Sequence, residues 1–149
     1  MKLSTRGRYG TRALLELALH KGDDPMSLKD IACRQQISLS YLEQLVSPLV
    51  AGGIIRSTRG LRGGVSLVRD PSEIKLSEII RALEGSIAPA ECVDNPDICD
   101  RSPFCVTRDI WSEMKIAMSE VLESTTLQDL VERQKGKHLD DENCNDGGD

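Results

Sequence analysis

Apolar residues recur at spacings of three and four in several stretches of the chain, which is the period of an amphipathic helix. The first stretch runs from Thr5 to His20 and ends in a turn rich in glycine, aspartate and proline. Ser27 and Ser38 each precede a further periodic stretch, and serine is a residue that caps helix N-termini. The pattern therefore predicts three consecutive helices before residue 52.

The third predicted helix is followed by a different pattern. Pro48 lies late in that helix and predicts a bend or an early end near residues 44–47, because proline removes one backbone hydrogen bond. Two short runs rich in β-branched residues, 54–57 and 65–68, then flank a glycine-rich tip. Such a pair of runs is typical of a β-hairpin.

The remaining residues predict a fourth helix, a loop, a long helix and a short last helix. The fourth helix ends at Gly85, and residues 86–103 contain several prolines and acids that predict a loop. An apolar stripe from Val106 to Leu122 predicts a long amphipathic helix, and Thr126 begins the last one. The polar tail that follows is expected to be disordered.

Composition narrows the class of protein. Hydrophobic residues make up 39% of the chain and aromatic residues 3%, which favours a helix-rich core of aliphatic side chains. No apolar run reaches the roughly 18 to 20 residues that span a bilayer, and the N-terminus lacks the apolar stretch of a secretory signal. A cytoplasmic protein is therefore expected, and in that compartment five cysteines indicate metal binding, catalysis or redox sensing.

Charge is distributed unevenly along the chain. Residues 1–72 carry 11 Lys and Arg against 6 Asp and Glu, a balance of +5, whereas residues 73–149 carry 8 against 18, a balance of −10. Because a polyanion responds to the local basic surface, the net charge of −5 does not exclude DNA as a partner.

The order of three helices and a hairpin is that of a winged helix-turn-helix, so the predicted fold class is mainly α with a small β-hairpin, followed by a long helix. The start of the third helix would enter the major groove, where polar side chains read base edges. From Ile54 to Arg69 the hairpin contains four arginines and no acid, and its glycines would let the backbone approach a phosphate or a narrow groove. The predicted DNA-binding residues are Ser38, Ser40, Tyr41, Glu43 and Gln44 on the helix and Arg59, Arg62, Gly63 and Gly64 on the hairpin.

Three cysteines, Cys92, Cys99 and Cys105, lie in or beside the predicted loop, with six and five residues between them. Structural zinc sites usually contain pairs roughly two to four residues apart, so this spacing fits zinc poorly. Wider gaps suit an iron–sulfur cluster held by thiolates. The alternative from spacing alone is three exposed thiols that form a reversible disulfide.

A cluster on three cysteines needs a fourth ligand, for which the residues leave several candidates. These are a carboxylate such as Asp109, a histidine (His20 or His138), Cys144, a residue of a partner chain, or an exogenous ligand. The remaining cysteine, Cys33, lies on the apolar face of the second predicted helix and is expected in the core.

Three stretches, Met1–Tyr9, Ser38–Leu45 and Arg59–Gly64, resemble the family of bacterial winged-helix regulators that includes IscR, NsrR and CymR. The likeness runs from residue 1 to about residue 133. The cysteine trio resembles the cluster loop of the IscR branch. Residues 43–48 and 82–87 are closer to the CymR branch, which lacks the cluster cysteines.

The resemblance implies a homodimer that binds double-stranded DNA at a palindromic or near-palindromic operator, with the long helix in the dimer interface. It also implies a 2Fe–2S cluster with Cys92, Cys99 and Cys105 as ligands. Two positions depart from the family pattern. IscR has a histidine ligand where this chain has Arg108, and NsrR-like members use an aspartate where it has Arg8, so neither position supplies a fourth ligand.

The interpretation is a DNA-binding repressor or dual regulator that senses iron–sulfur cluster status and controls iron–sulfur biogenesis genes. The predicted parts are a DNA-binding domain at 1–72, a cluster-binding loop with dimerisation helices at 73–133, and a disordered acidic tail at 134–149. Alternatives are a CymR-like repressor of cysteine metabolism, a nitric-oxide or thiol-redox sensor using the same cysteines, and a scaffold whose acidic half engages an enzyme. An enzyme is not expected, because the chain has two histidines, no catalytic dyad and no phosphate-binding loop.

Overall fold

A computed structural model of the chain describes residues 2–137. These residues form seven α-helices and one antiparallel hairpin, which confirms the predicted fold class. None of the helices in this range is long and apolar enough to cross a membrane. The elements are α1 Thr5–Leu19, α2 Leu28–Gln35, α3 Leu39–Ala51, β1 Ile55–Thr58, β2 Gly64–Leu67, α4 Leu76–Glu84, α5 Glu91–Asp94, α6 Val106–Ser124 and α7 Leu127–Gly136.

The helix-turn-helix is formed by α2 and α3, and a serine begins each helix. The hydroxyls of Ser27 and Ser38 accept a hydrogen bond from the backbone N–H three residues on, at 3.1 and 3.2 Å, so both predicted caps are confirmed. Between the helices Gln36 has a φ of 53°, and it is the one non-glycine residue with positive φ in the described part of the chain. The turn directs Ile37 into the core, where it is 6% exposed.

Pro48 lies inside α3 without ending it, so the predicted early end near residues 44–47 is wrong. The helix continues to Ala51, and the N–H of Gly52 donates to the Pro48 carbonyl at 3.0 Å. Leu49, which is 2% exposed, holds the last turn against the core. Burial of such a side chain stabilises by about 1.5–3 kcal/mol, which offsets much of the roughly 3 kcal/mol that a proline inside a helix costs.

One hydrophobic core joins the first four helices, the hairpin and α7. This core includes residues on both sides of the predicted domain boundary at residue 72. The division between 1–72 for DNA binding and 73–133 for cluster binding and dimerisation therefore stays a prediction about function. The chain returns to this core after α6 because the Leu127 N–H donates to the Ile74 carbonyl at 2.8 Å. The most buried members, all at most 2% exposed, are Leu14, Ile31, Leu42, Leu45, Leu49, Ile54, Val65, Ile74, Ile79 and Leu127.

Two glycines bring α1 close to α4. Gly7 and Gly10 are both buried, and a Cβ on them would overlap the Glu84 carboxylate and a Leu83 methyl group respectively. A glycine inside a helix costs about 1 kcal/mol relative to alanine. The close approach of α4 explains why two are present in α1.

Two further sequence predictions need correction. Cys33 is exposed on α2 rather than buried in the core, because the side of α2 that faces the core is lined by Ile31 and Ala32. The predicted tail at 134–149 begins too early, because the capping box at the start of α7 supports a helix that continues to Gly136. The rest of that predicted tail, from residue 138, lies outside the described residues.

Candidate DNA interface and cysteine segment

The exposed face of α3 carries four of the five residues predicted to read bases. Ser38, Ser40, Glu43 and Gln44 are all exposed, and the last three share one side of the helix at spacings of three and four. The leucines of α3 fill the opposite side and are buried. Ser38 also caps the helix, so its hydroxyl oxygen is engaged while its O–H can still donate to DNA.

Tyr41 differs from the other four, because much of its side chain is engaged in packing. Its ring meets the ring of Tyr9 edge to face, with centroids 5.9 Å apart. The guanidinium carbons of Arg8 and Arg12 lie 5.8 and 5.3 Å from the Tyr9 centroid, and Arg12 also donates to the Gln35 side chain at 2.9 Å. Two arginines therefore lie close to α3. Sequence analysis missed them, although their spacing of four on one helix was the available signal.

The wing, residues 55–67, presents two of its predicted arginines freely. Arg59 and Arg62 are exposed at its tip, and neither takes part in an ion pair among residues 2–137. Arg69, just beyond the wing, instead donates to the Glu78 carboxylate at 2.7 Å. This hydrogen bond holds the pKa of Glu78 below its ordinary value, and it fixes Arg69 to α4.

Gly63 and Gly64 are required by the packing of the wing itself. A Cβ on Gly63 would overlap the Thr58 carbonyl oxygen, and one on Gly64 would overlap the Met26 carbonyl oxygen. The second overlap arises because Met26 and Val65 exchange two backbone hydrogen bonds of 2.9 Å. The predicted role of Gly63 and Gly64 in approaching DNA stays a prediction. The structure adds that packing within the wing requires both glycines.

The cysteine segment, residues 91–105, is folded, so the prediction of a loop over 86–103 is wrong for this part. It contains α5 and two 3₁₀ turns, and Pro96 and Pro103 stand at the beginning of these turns. Proline suits that position because its φ is already helical and its missing N–H would have no partner there. The prolines that indicated a loop therefore begin short turns.

Two side chains of α6 hold the cysteine segment in place. Arg108 Nε donates to the Cys92 carbonyl at 2.8 Å, and Lys115 Nζ lies 2.5 Å from an Asp94 carboxylate oxygen. Asp94 also accepts from the Ser86 hydroxyl. The hydrogen bonds from Lys115 and Ser86 lower the pKa of Asp94. We call the Arg108 and Lys115 contacts the clasp.

The three cysteines of the segment are free thiols in different environments. Cys92 and Cys105 are half-buried, whereas Cys99 is exposed. Cys105 Sγ lies 3.1 Å from Thr107 Oγ1, and this hydrogen bond is the main cause that lowers the pKa of the thiol. Within residues 2–137, no three His, Cys, Asp or Glu side chains converge where they could hold a metal ion. The sulfur atoms are therefore not assembled into a site in the single chain.

Ser102 lies between Cys99 and Cys105, and its hydroxyl is the one buried side-chain polar atom without a hydrogen-bond partner in the described part of the chain. The residue is 7% exposed. A buried group of this kind costs about 1–3 kcal/mol, and native proteins contain few of them. Three free thiols and an unsatisfied hydroxyl on one short segment fit an iron–sulfur cluster in their chemistry, and ligation by all three cysteines requires the segment to rearrange.

The candidates for a fourth ligand are distributed over the molecule. Asp109 is exposed on α6, one turn from Cys105. The His20 ring pairs with the Asp24 carbonyl at 3.2 Å, in the turn after α1. His138 and Cys144 lie outside the described residues. Arg108, where the resemblance to the family implies a histidine ligand, donates to the backbone as part of the clasp.

The α6 helix has an apolar face that the described residues 2–137 leave open. None of its 19 residues is buried. Val106, Ile110 and Val121 are 75%, 49% and 63% exposed, and their spacings place them along one side of the helix. A stripe of this length marks an interaction surface.

Residues 3–133 match a family model described as Rrf2, iron-dependent transcriptional regulator. The chain belongs to the Rrf2 family. It is a DNA-binding transcriptional regulator, and its relatives are regulators rather than enzymes. The match spans the helix-turn-helix, the wing, the cysteine segment and most of α7.

Individual Rrf2 relatives come from more than one branch. The chain is 46% identical over 131 residues to protein rrf2 of Nitratidesulfovibrio vulgaris, covering 88% of this chain and 87% of that protein. It is 44% identical over 137 residues to the regulator CymR of Bacillus subtilis, covering 92% and 94%. The solved structure of T. potens IscR aligns with a TM-score of 0.76 at 40% identity, covering 94% and 93%. The predicted resemblance to a family that includes IscR and CymR is confirmed.

Proposed function

We propose that this Rrf2 protein is a homodimeric repressor or dual regulator that senses iron–sulfur cluster supply through Cys92, Cys99 and Cys105 and controls iron–sulfur biogenesis genes. The observation that carries the proposal is the placement of three free thiols on one segment clasped to α6. A thiolate-ligated cluster, when bound, supplies a centre whose presence depends on iron and on oxidants. A regulator with such ligands reports the supply of clusters.

DNA reading falls to α3 and the wing. Glu43 and Gln44 are exposed near the start of α3, where Gln pairs with adenine and Glu accepts from the N4 amino group of cytosine. Arg59 and Arg62 contact phosphates or enter the minor groove, where A·T-rich sequence concentrates negative potential. Gly63 and Gly64 keep the wing in the shape that presents these arginines.

A second copy of the chain covers the apolar face of α6. The face runs from Val106 to Val121 along one side, so two such helices can pack against each other about a two-fold axis. A two-fold protein matches a palindromic operator, because each recognition helix then meets an equivalent half-site. The 2Fe–2S cluster would lie beside this interface, since Cys105 immediately precedes α6.

The cysteine segment communicates with α3 through α6 and α4. Bringing three sulfur atoms together displaces the backbone around Cys92 and Asp94, and therefore alters the clasp on α6. The Ser77 hydroxyl donates to Glu123 at 2.6 Å and ties α4 to the end of α6, and α4 packs against α3. Assembly of the ligands therefore changes how α3 is presented to DNA.

The cluster is tested by iron and acid-labile sulfide analysis of protein purified without oxygen. We expect iron and sulfide in near-equal amounts in the native protein and their loss in Cys92→Ala. Arg108→His places an imidazole where IscR has its ligand and should slow cluster loss in air, whereas Arg101→His at an exposed site should not. A colourless protein after reconstitution would contradict the proposal.

DNA reading is tested by the salt dependence of operator binding. Each phosphate contact contributes about one to the slope of log K against log salt, so Arg59→Ala should reduce the slope by about two per dimer. Arg69→Ala is the matched control, because Arg69 is held by Glu78 and should leave the slope unchanged. An unchanged slope in Arg59→Ala would remove the wing from the interface.

A second candidate function is thiol-redox sensing by the same cysteines. It is favoured by Cys105, whose thiol pKa is lowered mainly by the Thr107 hydroxyl, since the thiolate is the form that oxidants attack. In this case peroxide should change operator affinity in iron-free protein, and Cys105→Ser should abolish the change. Peroxide without effect on iron-free protein would exclude this candidate.

A further inference from the structure

We propose that the Ser102 hydroxyl donates a hydrogen bond to a sulfur atom of the iron–sulfur centre, either a sulfide or the thiolate of Cys99 or Cys105. The inference rests on the proposed function, because it assigns a residue to the surroundings of the same centre. Ser102 is then a positioning residue for the cluster and does not ligate it.

The position of Ser102 in the chain brings it close to two of the predicted ligands. Its N–H donates to the Cys99 carbonyl at 3.1 Å, and only two residues lie between it and each of Cys99 and Cys105. The 3₁₀ turn Ser102–Phe104 joins it directly to Cys105. A sulfur centre held by Cys99 and Cys105 would therefore lie close to Ser102 along the chain.

Neighbouring hydroxyls have partners that Ser102 lacks. The Ser86 hydroxyl donates to Asp94, and Thr107 Oγ1 contacts Cys105 Sγ at 3.1 Å. Ser102 Oγ is buried and bonds to nothing in the described part of the chain. A buried O–H without an acceptor is unfavourable, so the missing partner is an acceptor that arrives with the bound state.

Sulfide and thiolate sulfur are anionic acceptors and meet this requirement. A hydrogen bond to cluster sulfur withdraws electron density and stabilises the reduced state, so it raises the reduction potential. The same hydroxyl destabilises the iron-free protein, in which it has no acceptor. Removing it should therefore have opposite effects on the two forms of the protein.

The experiment compares Ser102→Ala with the native protein in both forms. In iron-free protein we expect a higher melting temperature. In reconstituted protein we expect full iron and sulfide content, a lower reduction potential and a several-fold faster loss of the cluster absorption in air. In D₂O the Fe–S stretching bands of the native protein should shift in resonance Raman spectra, and the shift should shrink in the variant.

Two further variants provide comparisons. Ser124→Ala removes a hydroxyl that already donates to the Val121 carbonyl at 3.2 Å, and it should leave the potential and the D₂O shift unchanged. Thr107→Val removes the hydroxyl that contacts Cys105 Sγ, and it should lower the potential without raising the melting temperature of iron-free protein.

Three results would overturn the assignment. The same potential and D₂O shift in Ser102→Ala would show that the hydroxyl makes no bond to the centre. Loss of iron from a folded variant would make Ser102 a ligand instead of a donor. A native protein that takes up no cluster would overturn the proposed function together with this inference.

Discussion

The helices α3 and α6 were predicted from the same apolar period, yet they end in opposite environments. In α3 the residues Leu42, Leu45 and Leu49 are 1–2% exposed and complete a core made by the chain itself. In α6, which is longer, no residue is buried. The comparison teaches that periodicity locates an apolar face but does not identify what covers it. For α3 the cover is the rest of the monomer, and for α6 we propose a second copy.

Polar groups differ between the two regions in the same way. Near the helix-turn-helix, the buried Glu16 is 5% exposed, and it accepts from Gln35 Nε2 at 2.6 Å. In the cysteine segment, Ser102 is buried without a partner and three thiols are free. The buried carboxylate near the helix-turn-helix therefore has its partner within the described residues, whereas the hydroxyl of Ser102 in the cysteine segment has none there.

The largest expected effect distinguishes the buried apolar face of α3 from the exposed one of α6. Only the stability contributed by the α6 face should depend on protein concentration. Leu45→Ala should lower the free energy of unfolding by about 2–5 kcal/mol at every protein concentration, because it opens a cavity in the monomer core. Ile110→Ala should lower the apparent stability only where the dimer is populated. Chemical denaturation at two widely separated protein concentrations, with light scattering for mass, measures both.

A result against this comparison would be easy to recognise. If the effect of Ile110→Ala did not depend on concentration, α6 would be covered by something other than a second copy. If scattering reported a monomer throughout, the dimer would be refuted directly.

A smaller effect tests the contact between α1 and α4. Gly10→Ala should destabilise by about 1–2 kcal/mol, because its Cβ overlaps a Leu83 methyl group and this overpacking outweighs the better helix propensity. Gly136→Ala is the matched control, because a Cβ on Gly136 would have nothing within 4 Å. This variant should raise the free energy of unfolding by about a few tenths of a kcal/mol. Thermal unfolding of both variants measures the difference, and stabilisation in both would mean that α4 withdraws at little cost.

The Arg69–Glu78 pair should give a pH-dependent contribution. The pKa of Glu78 lies below its ordinary value in the folded protein, so the pair stabilises at neutral pH and its contribution is lost as the pH falls through the folded pKa. Both side chains are 33% exposed, so we expect less than about 1 kcal/mol. The difference in unfolding free energy between native protein and Glu78→Gln should shrink from pH 7 towards pH 3, and a constant difference would contradict the cause given.

The smallest expected effect is a gain at the helix-turn-helix. Gln36 has a left-handed backbone, which glycine adopts without strain, so Gln36→Gly should stabilise by about 0.5–1 kcal/mol. Gln35→Gly, one residue earlier and inside α2, should instead destabilise, because it also removes the bonds to Arg12 and Glu16. Equilibrium unfolding in urea compares the two, and a loss of stability in Gln36→Gly would show that its side chain matters more than its φ.

Local signals predicted much of the fold, while the DNA-reading role of the predicted residues stays a prediction. The caps at Ser27, Ser38 and Thr126 are observed, as is the hairpin that carries Arg59 and Arg62. These features depend on residues within about one turn of each other, where hydrogen bonding and backbone preference decide the outcome. The cysteine spacing likewise singled out the cysteine segment, whose sensing role stays a proposal.

Two of the errors share one cause, which is that distant packing opposes a local preference. Pro48 does not end α3, because Leu49 and its neighbours bury the last turn. The segment around Pro96 folds instead of looping, because Arg108 and Lys115 reach it from α6. The sequence shows that each of these residues is present but not which residues come into contact in the folded chain.

The sequence by itself determined where the helices and the hairpin lie, which helix face is polar, and which cysteines are grouped. Tertiary structure alone decided that α7 returns to the core, that Gly10 faces Leu83, and that the Ser102 hydroxyl is buried without a partner. The physical reason is range. Propensity, capping and periodicity act between neighbours along the chain, whereas burial and hydrogen-bond satisfaction depend on groups that meet only after the chain has folded.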